Sequence, residues 1–378
     1  MEWSKLLSTK RLSGKKATHR NEFDDDYKRI VTSPSFRRLQ DKTQVFPLER
    51  LDFIHTRLTH SLEVAMVARS LAKEIVILLQ EELEKKPDSS KQEMIDRQED
   101  VLKIVECASL VHDLGNPPYG HFGEDIIRQW FKKNLPSLLK EKSDVAEEFL
   151  ASPYVYDFYR FEGNAQSLRI VSKLHDFKGE FDGLDLTAAT LNTILKYTYP
   201  SSRKKTEQIT SKKVGYFFAE EETFQKVTEI TGSGTNRHPL TFILEAADDI
   251  AYLVADMEDA IGKGVISFRD VREFLLENLS TDAYNAPHSV HTREVLNTID
   301  EEVFSVNRFF VDLRDKLIDG ARHNFVNHYD EIMDGTFNQD LFKNSWAEDL
   351  YVILRKLSEE RIYDNKGILR LEIAGYTT

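Results

Sequence analysis

The stretch from His112 to Glu124 concentrates side chains that can do chemistry: His-Asp-Leu-Gly-Asn-Pro-Pro-Tyr-Gly-His-Phe-Gly-Glu. An imidazole beside a carboxylate, His112 with Asp113, is a ligand pair for a borderline or hard metal ion. His121, three residues ahead of Glu124, is spaced as a general acid/base and its orienting group. Short motifs recur by chance, and the same residues also fit a helix end with His121 packed in a loop. Other parts of the chain must separate these readings.

Two further helices bear on the choice. From Thr59 to Ile77, His60, Val64, Val67 and Leu71 share one face, so His60 points to the core. Arg57 lies on that face too, and a buried guanidinium needs an anion. His112 is likewise the last inward residue of the stripe Val101, Val105, Ala108. One inward histidine is commonly a hydrogen-bonded core residue; two on independent helices fit that less well. Leu240 to Ile261, opened by His238-Pro239, is apolar on most sides yet carries Asp248, Tyr252, Asp256 and Asp259 at helical spacing. Such a stripe is ordinarily a solvent face, but on so apolar a helix it reads as the lining of an internal pocket, where carboxylates need a partner such as a metal. His60, His112, Asp113 and Asp248 form an N/O set suited to a first-row divalent ion, with positions left for water or a phosphate oxygen.

The elements that must position these residues are helices. Residues 1–22 are polar and basic and read as an irregular arm; 23–378 read as one domain. A helix starts at Phe23 with aspartates in its first turn, and Ser33-Pro34-Ser35 interrupts it. Residues 36–47 set Arg37, Arg38, Lys42, Gln40 and Gln44 between apolar anchors, as a soluble surface or as phosphate and sugar contacts in a cleft. After the charged connector 81–100, a helix over Val101–Leu114 is stopped by Gly115 and Pro117-Pro118. Further helices are expected over 122–131, 167–174 and 185–200, with a Lys/Glu-rich surface segment at 132–152 and a charged, Gly/Ser-rich stretch at 201–236 that includes a mobile loop. Residues 262–378 are helical by period without a chemical motif. The apolar pattern of 368–376 has no stop, so a further C-terminal segment is expected. No alternating run predicts a substantial strand. The fold class is therefore mainly α, with at most short strands.

Composition narrows the function classes. Of 378 residues, 40% are hydrophobic and 11% aromatic, which is globular rather than disordered. No apolar run is long enough to span a membrane, the N-terminus lacks a secretory h-region, and Cys107 is the single cysteine, read as a buried thiol. These features point to the cytoplasm. A net charge of −13 argues against a surface that coats nucleic acid. Basic clusters at 10–20 and 203–213 are solvated faces or a focus of positive potential on a phosphate-bearing ligand. There is no glycine-rich nucleotide loop, nucleophile elbow or Cys-x-x-Cys pair.

The ligand order His60, His112-Asp113, Asp248 resembles the HD superfamily of metal-dependent phosphohydrolases. The resemblance continues through Phe36-Arg37-Arg38-Leu39, Lys42 to Phe46, His55-Thr56-Arg57-Leu58-Thr59-His60-Ser61, Gly120 to Glu124, Phe161-Glu162-Gly163-Asn164 and Glu245-Ala246-Ala247-Asp248-Asp249-Ile250. Over roughly 20–260 the chain is similar to the bacterial deoxyguanosinetriphosphate triphosphohydrolase (dGTPase) family. The resemblance implies Mg²⁺ or Mn²⁺ on His60, His112, Asp113 and Asp248, and a His121–Glu124 catalytic dyad. It implies Gln44 and Asp256 at the sugar 3′-hydroxyl, and Tyr252 where a 2′-hydroxyl would sit. Arg57, Asn164, Lys196, Tyr197 and Lys213 would hold the triphosphate. Asn116 stands where some relatives carry a further histidine. The implied reaction is hydrolysis of dGTP or other dNTPs to deoxynucleoside and inorganic triphosphate. The resemblance also implies a homo-oligomer, hexamers among its forms, and it raises allosteric dNTP and single-stranded DNA as further partners. Two other readings are an HD phosphohydrolase acting on another nucleotide and an HD regulator that senses nucleotides.

Overall fold

The computed structural model describes residues 1–14, 21–44, 46, 54–139, 143–175, 183–203, 206–278 and 306–363. Among these the fold is helical, and its only strand-like pairings are isolated bridges, such as Thr43 with Thr56. The centre is built from α4 (Arg57–Lys85), α6 (Gln98–Val111), α13 (Pro239–Gly262) and α15 (Val306–Asn327); α4 packs against the other three. Val64, Val67, Leu71, Ile75 and Leu79 of α4 are fully buried, each stabilising the fold by about 1.5–3 kcal/mol relative to exposure.

Local sequence fixes where the central helices begin. Thr56 and Thr59 form a reciprocal cap: Thr59 N donates to Thr56 Oγ1 (3.3 Å) and Thr56 N to Thr59 Oγ1 (2.9 Å). That start puts Arg57 and His60 in the first turn of α4. His238 caps α13, with Pro239 in its first turn; Nδ1 accepts from Leu240 N, so Nε2 carries the proton and donates to Leu6 O (3.1 Å). Burial holds the His238 pKa down at about 4.

The N-terminal residues depart from the expected irregular arm. Trp3–Leu6 form a short helix, α1, and Trp3, Leu6 and Leu7 lie in the core. Trp3 Nε1 donates to Tyr329 Oη (2.7 Å). Arg11 is buried against Glu22 and Asp26 of α2 (Glu22–Val31); residues 15–20 lie outside the described ones. Other boundaries shift too. The 81–100 connector contains α5 (Ser89–Asp96), capped by Asp88 and anchored by Met94 and Ile95. The helix after the Pro-Pro break, α7 (Gly120–Leu139), runs through much of the expected surface segment, and α8 (Ser143–Ala151) follows it. In 185–200 only α11 (Ala188–Thr193) is α-helical, whereas α12 (Glu221–Thr231) occupies part of the expected loop and ends at Gly232, φ 67°. The remaining short helices are α3 (Pro34–Arg37), α9 (Val155–Tyr159), α10 (Gly163–Lys173), α14 (Phe268–Asn278), α16 (Tyr329–Asp334) and α17 (Glu348–Leu357), the last continued by a wider turn over Ser358–Tyr363. The C-terminal pattern at 368–376 lies outside the described residues.

His55 braces α4 against α13. Its backbone N–H and Nδ1–H donate to Asp259 (3.0 and 2.7 Å), and Nε2–H donates to Glu63 (3.0 Å). Those two carboxylate bonds outweigh burial and raise the imidazole pKa to about 10 from 6.5. A raised pKa stabilises the fold fully below the unfolded value and is lost as pH rises through the folded one. Against a His55→Ala variant, the native chain should therefore gain about 1.5–3 kcal/mol below pH 6.5, and the difference should shrink between pH 7 and 10. Denaturant titrations across that range read it directly; a gap that widens with pH contradicts the imidazolium brace.

Candidate active site

A cavity of about 720 Å³ opens where the first turn of α4, the last residues of α6, the start of α7 and the middle of α13 meet. His60 (1% exposed) and His112 (7%) face each other there, rings 5.5 Å apart at 61°. Both Nε2 atoms lie 3.2 Å from Asp248 Oδ1. His112 Nδ1 donates to Ser109 O (2.7 Å), so in the neutral ring the lone pair is at Nε2, facing the carboxylate. That Nε2 and His60 Nδ1 are buried without a hydrogen-bond partner.

This geometry fits a divalent ion. Ligands held about 2.1 Å from one ion at roughly 90–100° stand about 3.0–3.2 Å apart. Among the described residues, His60, His112 and Asp248 bring one ligand atom each within 4.8 Å of one another. Asp113 stands beside them, its Oδ1 3.7 Å from His112 Nε2. Arg57 Nη1 donates to its Oδ2 and Asn116 Nδ2 to its Oδ1. Burial opposes ionising Asp113, yet Arg57 and both histidines outweigh it and bring its pKa down to about 2. Asp248 is also held ionised: Lys196, bonded to Oδ2, and the histidines outweigh burial. Burial disfavours charge on His112, but Asp248 and Asp113 raise its pKa nonetheless.

The chain then reverses sharply. Pro117 and Pro118 lead into Tyr119 and Gly120, both at positive φ (65° and 52°), and α7 starts at once. A Cβ on Gly115 would collide with Gly163 O and Ser167 N, so glycine is required where this turn meets α10. His121 Nδ1 donates to Glu124 Oε2 at 2.9 Å. The imidazole is 76% exposed, whereas the carboxylate is buried and also accepts from Gly163 N (2.7 Å). Burial opposes charge on Glu124; His121, Gly163 N–H and Arg128 outweigh it and lower its pKa. On its other side, His121 Nε2 lies 3.3 Å from Lys213 Nζ.

All the residues given a role by the family resemblance, except buried Glu124 behind His121, line this one cavity: Gln44, Arg57, Asn164, Lys196, Tyr197, Lys213, Tyr252 and Asp256 are on its walls with His60, His112, Asp113, His121 and Asp248, whereas Arg37, Arg38, Gln40 and Lys42 are not. Gln44 Oε1 and Asp256 Oδ1 are buried without a partner, a donor-seeking pair. Burial raises the Asp256 pKa to about 7, although Tyr363 Oη donates to its Oδ2. Asp259, the fourth member of the acidic stripe, is instead bound to His55. Asp249 turns to Tyr351, whose hydroxyl donates to it at 2.8 Å. Arg237 and Glu245, an ion pair of a buried guanidinium and a half-buried carboxylate beside Lys196, and Tyr351, Arg355 and Tyr363 also line the cavity. The last three come from 262–378, where no chemical motif was read. Their one sequence signal is a mixed aromatic and charged face, Tyr351-x-x-x-Arg355, on an otherwise apolar-spaced helix. Cys107 is buried as expected, and burial raises its thiol pKa further.

Comparison with known proteins places this site in a class. The HD domain family model matches residues 57–253, which span His60, His112, Asp113 and Asp248; the protein is an HD-domain metal-dependent phosphohydrolase. The chain is 44% identical to a deoxyguanosinetriphosphate triphosphohydrolase-like protein of Listeria monocytogenes, over 99% of this chain and 81% of that one. It is 34% identical to the deoxyguanosinetriphosphate triphosphohydrolase of Yersinia enterocolitica (100% and 79%) and 35% identical to a deoxyguanosinetriphosphate triphosphohydrolase-like protein of Pseudomonas aeruginosa (100% and 83%). The chain belongs to the deoxyguanosinetriphosphate triphosphohydrolase family. None of its described helices is long and apolar enough to cross a membrane.

Proposed function

We propose that the protein hydrolyses dGTP, and other dNTPs, to deoxynucleoside and inorganic triphosphate. The observation that carries this reading is the union, in one cavity, of a metal-type cluster, an anchored His–Glu pair and a rim of cations. The names of the relatives support the choice of nucleotide. In the reaction, water oxygen joins the α-phosphorus, the bond from that phosphorus to the 5′-oxygen breaks, and the 5′-oxygen leaves with a proton. His60, His112, Asp248 and Asp113 would hold a divalent ion, Mg²⁺ or Mn²⁺, which when bound would supply Lewis-acid polarisation of a phosphate oxygen and lower the pKa of water.

The chain's own side chains do the rest. Glu124 keeps the Nδ1 proton of His121, so protons are exchanged with the reacting oxygens at Nε2. Arg57, Lys196, Lys213, Asn164 and Tyr197 bind the triphosphate and offset charge that grows during bond cleavage. Gln44 and Asp256 meet the 3′-hydroxyl, whose single proton is donated to one of their two partnerless oxygens. Tyr252 sits where a 2′-hydroxyl would project and excludes ribonucleotides by collision.

Rates on a panel of dNTPs, GTP and nucleoside monophosphates test the substrate class. The native chain should turn over dGTP and leave GTP nearly untouched. In Tyr252→Ala, the ratio of kcat/KM for GTP to that for dGTP should rise by about tenfold or more. Turnover of a monophosphate with no activity on any dNTP would replace this reading with another HD phosphohydrolase activity.

A further inference from the structure

Arg128, one turn beyond Glu124 on α7, has the bonding of an internal strut. Its Nε donates to Phe161 O (2.6 Å) and Nη1 to Asp125 (2.8 Å). Its Nη2 lies 3.1 Å from Glu124 Oε2 and 3.1 Å from Glu162 Oε2. Both carboxylates are 2% exposed. Two buried like charges sharing one guanidinium nitrogen cannot both stay ionised if that cation is removed. Glu162 also reaches the cavity's phosphate side, with Asn164 Nδ2 at 3.4 Å and Lys213 Nζ at 3.8 Å. His121, by contrast, is a mostly exposed ring whose one carboxylate anchor is Glu124. Whatever holds Glu124 in place and ionised therefore sets the direction of the imidazole.

We infer that Arg128 is a positioning residue for the His121–Glu124 pair, neutralising Glu124 and Glu162 together and so fixing the imidazole relative to the phosphate-binding side of the cavity. It touches neither substrate nor reacting atoms and acts through His121. A lysine could supply the charge but not the planar fork that reaches both carboxylates and Phe161 O at once. This rests on the reaction proposed above.

The test is a double-mutant cycle on dGTP turnover with Mg²⁺ or Mn²⁺. Arg128→Gln should lower kcat by about tenfold or more with KM changed less than about threefold, and Arg128→Lys should recover part of the loss. Added to His121→Ala, Arg128→Gln should change kcat by less than about twofold, because its route to the chemistry is already gone. An equal loss with and without His121, a loss confined to KM, or unchanged kcat overturns the inference. If Arg128→Gln does not fold, Arg128→Gln/Glu162→Gln, which removes both charges, takes its place, with Glu162→Gln as reference. A native chain silent toward every dNTP overturns the proposed reaction; turnover of dGTP equal in native and Arg128→Gln proteins overturns only the role of Arg128.

Discussion

Replacing His121 by alanine lowers kcat by about 10²–10⁴-fold, the range for loss of a positioned acid/base, and leaves folding intact. The contrast in burial within the pair makes this a clean probe. The imidazole is 76% exposed and contributes little packing, while Glu124, at 2%, keeps Arg128 and Gly163 N–H as partners when the ring is gone. The cluster of His60, His112 and Asp248 is untouched, so metal affinity by calorimetry should match the native chain. Steady-state kinetics with a melting curve on the same preparation checks this. Turnover unchanged in His121→Ala removes that residue from the mechanism.

The largest expected effect on stability is far from the cavity. Arg11→Met should destabilise the fold by about 3–5 kcal/mol, as expected when a buried ion network loses its central cation. Arg11 is 4% exposed at its side chain; Nε donates to Glu22 Oε2 (2.9 Å), Nη1 to Asp26 Oδ1 (2.7 Å) and Nη2 to Glu22 O (2.9 Å). Asp26 is wholly buried and also takes hydrogen bonds from Thr187 and Thr190, so the network joins the N-terminus, α2 and the entry to α11. Without Arg11, the Asp26 carboxylate is left with the neutral donors Thr187 and Thr190. A denaturant midpoint in Arg11→Met equal to that of the native chain would show that the network contributes nothing to the fold.

Much of the site was legible because its residues continue apolar stripes. His60 follows the period of Val64, Val67 and Leu71, and His112 that of Val101, Val105 and Ala108, so each had to face the core. Asp113 came with His112 through the chain itself. Asp248, Tyr252 and Asp256 were placed by the same periodicity on α13. It failed at Asp259: eleven residues from Asp248 is nearly the same angular face but about 16 Å further along the axis, where the stripe meets His55 instead of the cavity. Arg11 was hidden for a different reason. It lies in a basic run that reads as surface, and its partners Glu22, Asp26 and the Asp185 carbonyl meet it only after distant segments pack. Tyr351, Arg355 and Tyr363 reach the cavity through the packing of the turn that continues α17 onto α13 and through the Tyr351–Asp249 hydrogen bond, which no local pattern encodes. Helix α12 was missed because charged residues surround its two apolar anchors, Phe224 and Val227.

The most direct measurement is product analysis after incubation with dGTP and Mg²⁺ or Mn²⁺ in ¹⁸O-water. Phosphorus NMR and mass spectrometry should find deoxyguanosine and intact inorganic triphosphate in equal amounts, with the heavy oxygen in the triphosphate. Pyrophosphate with dGMP, stepwise release of phosphate, or label on the nucleoside would contradict attack at the α-phosphorus with departure of the 5′-oxygen and, with it, the role assigned to the cavity.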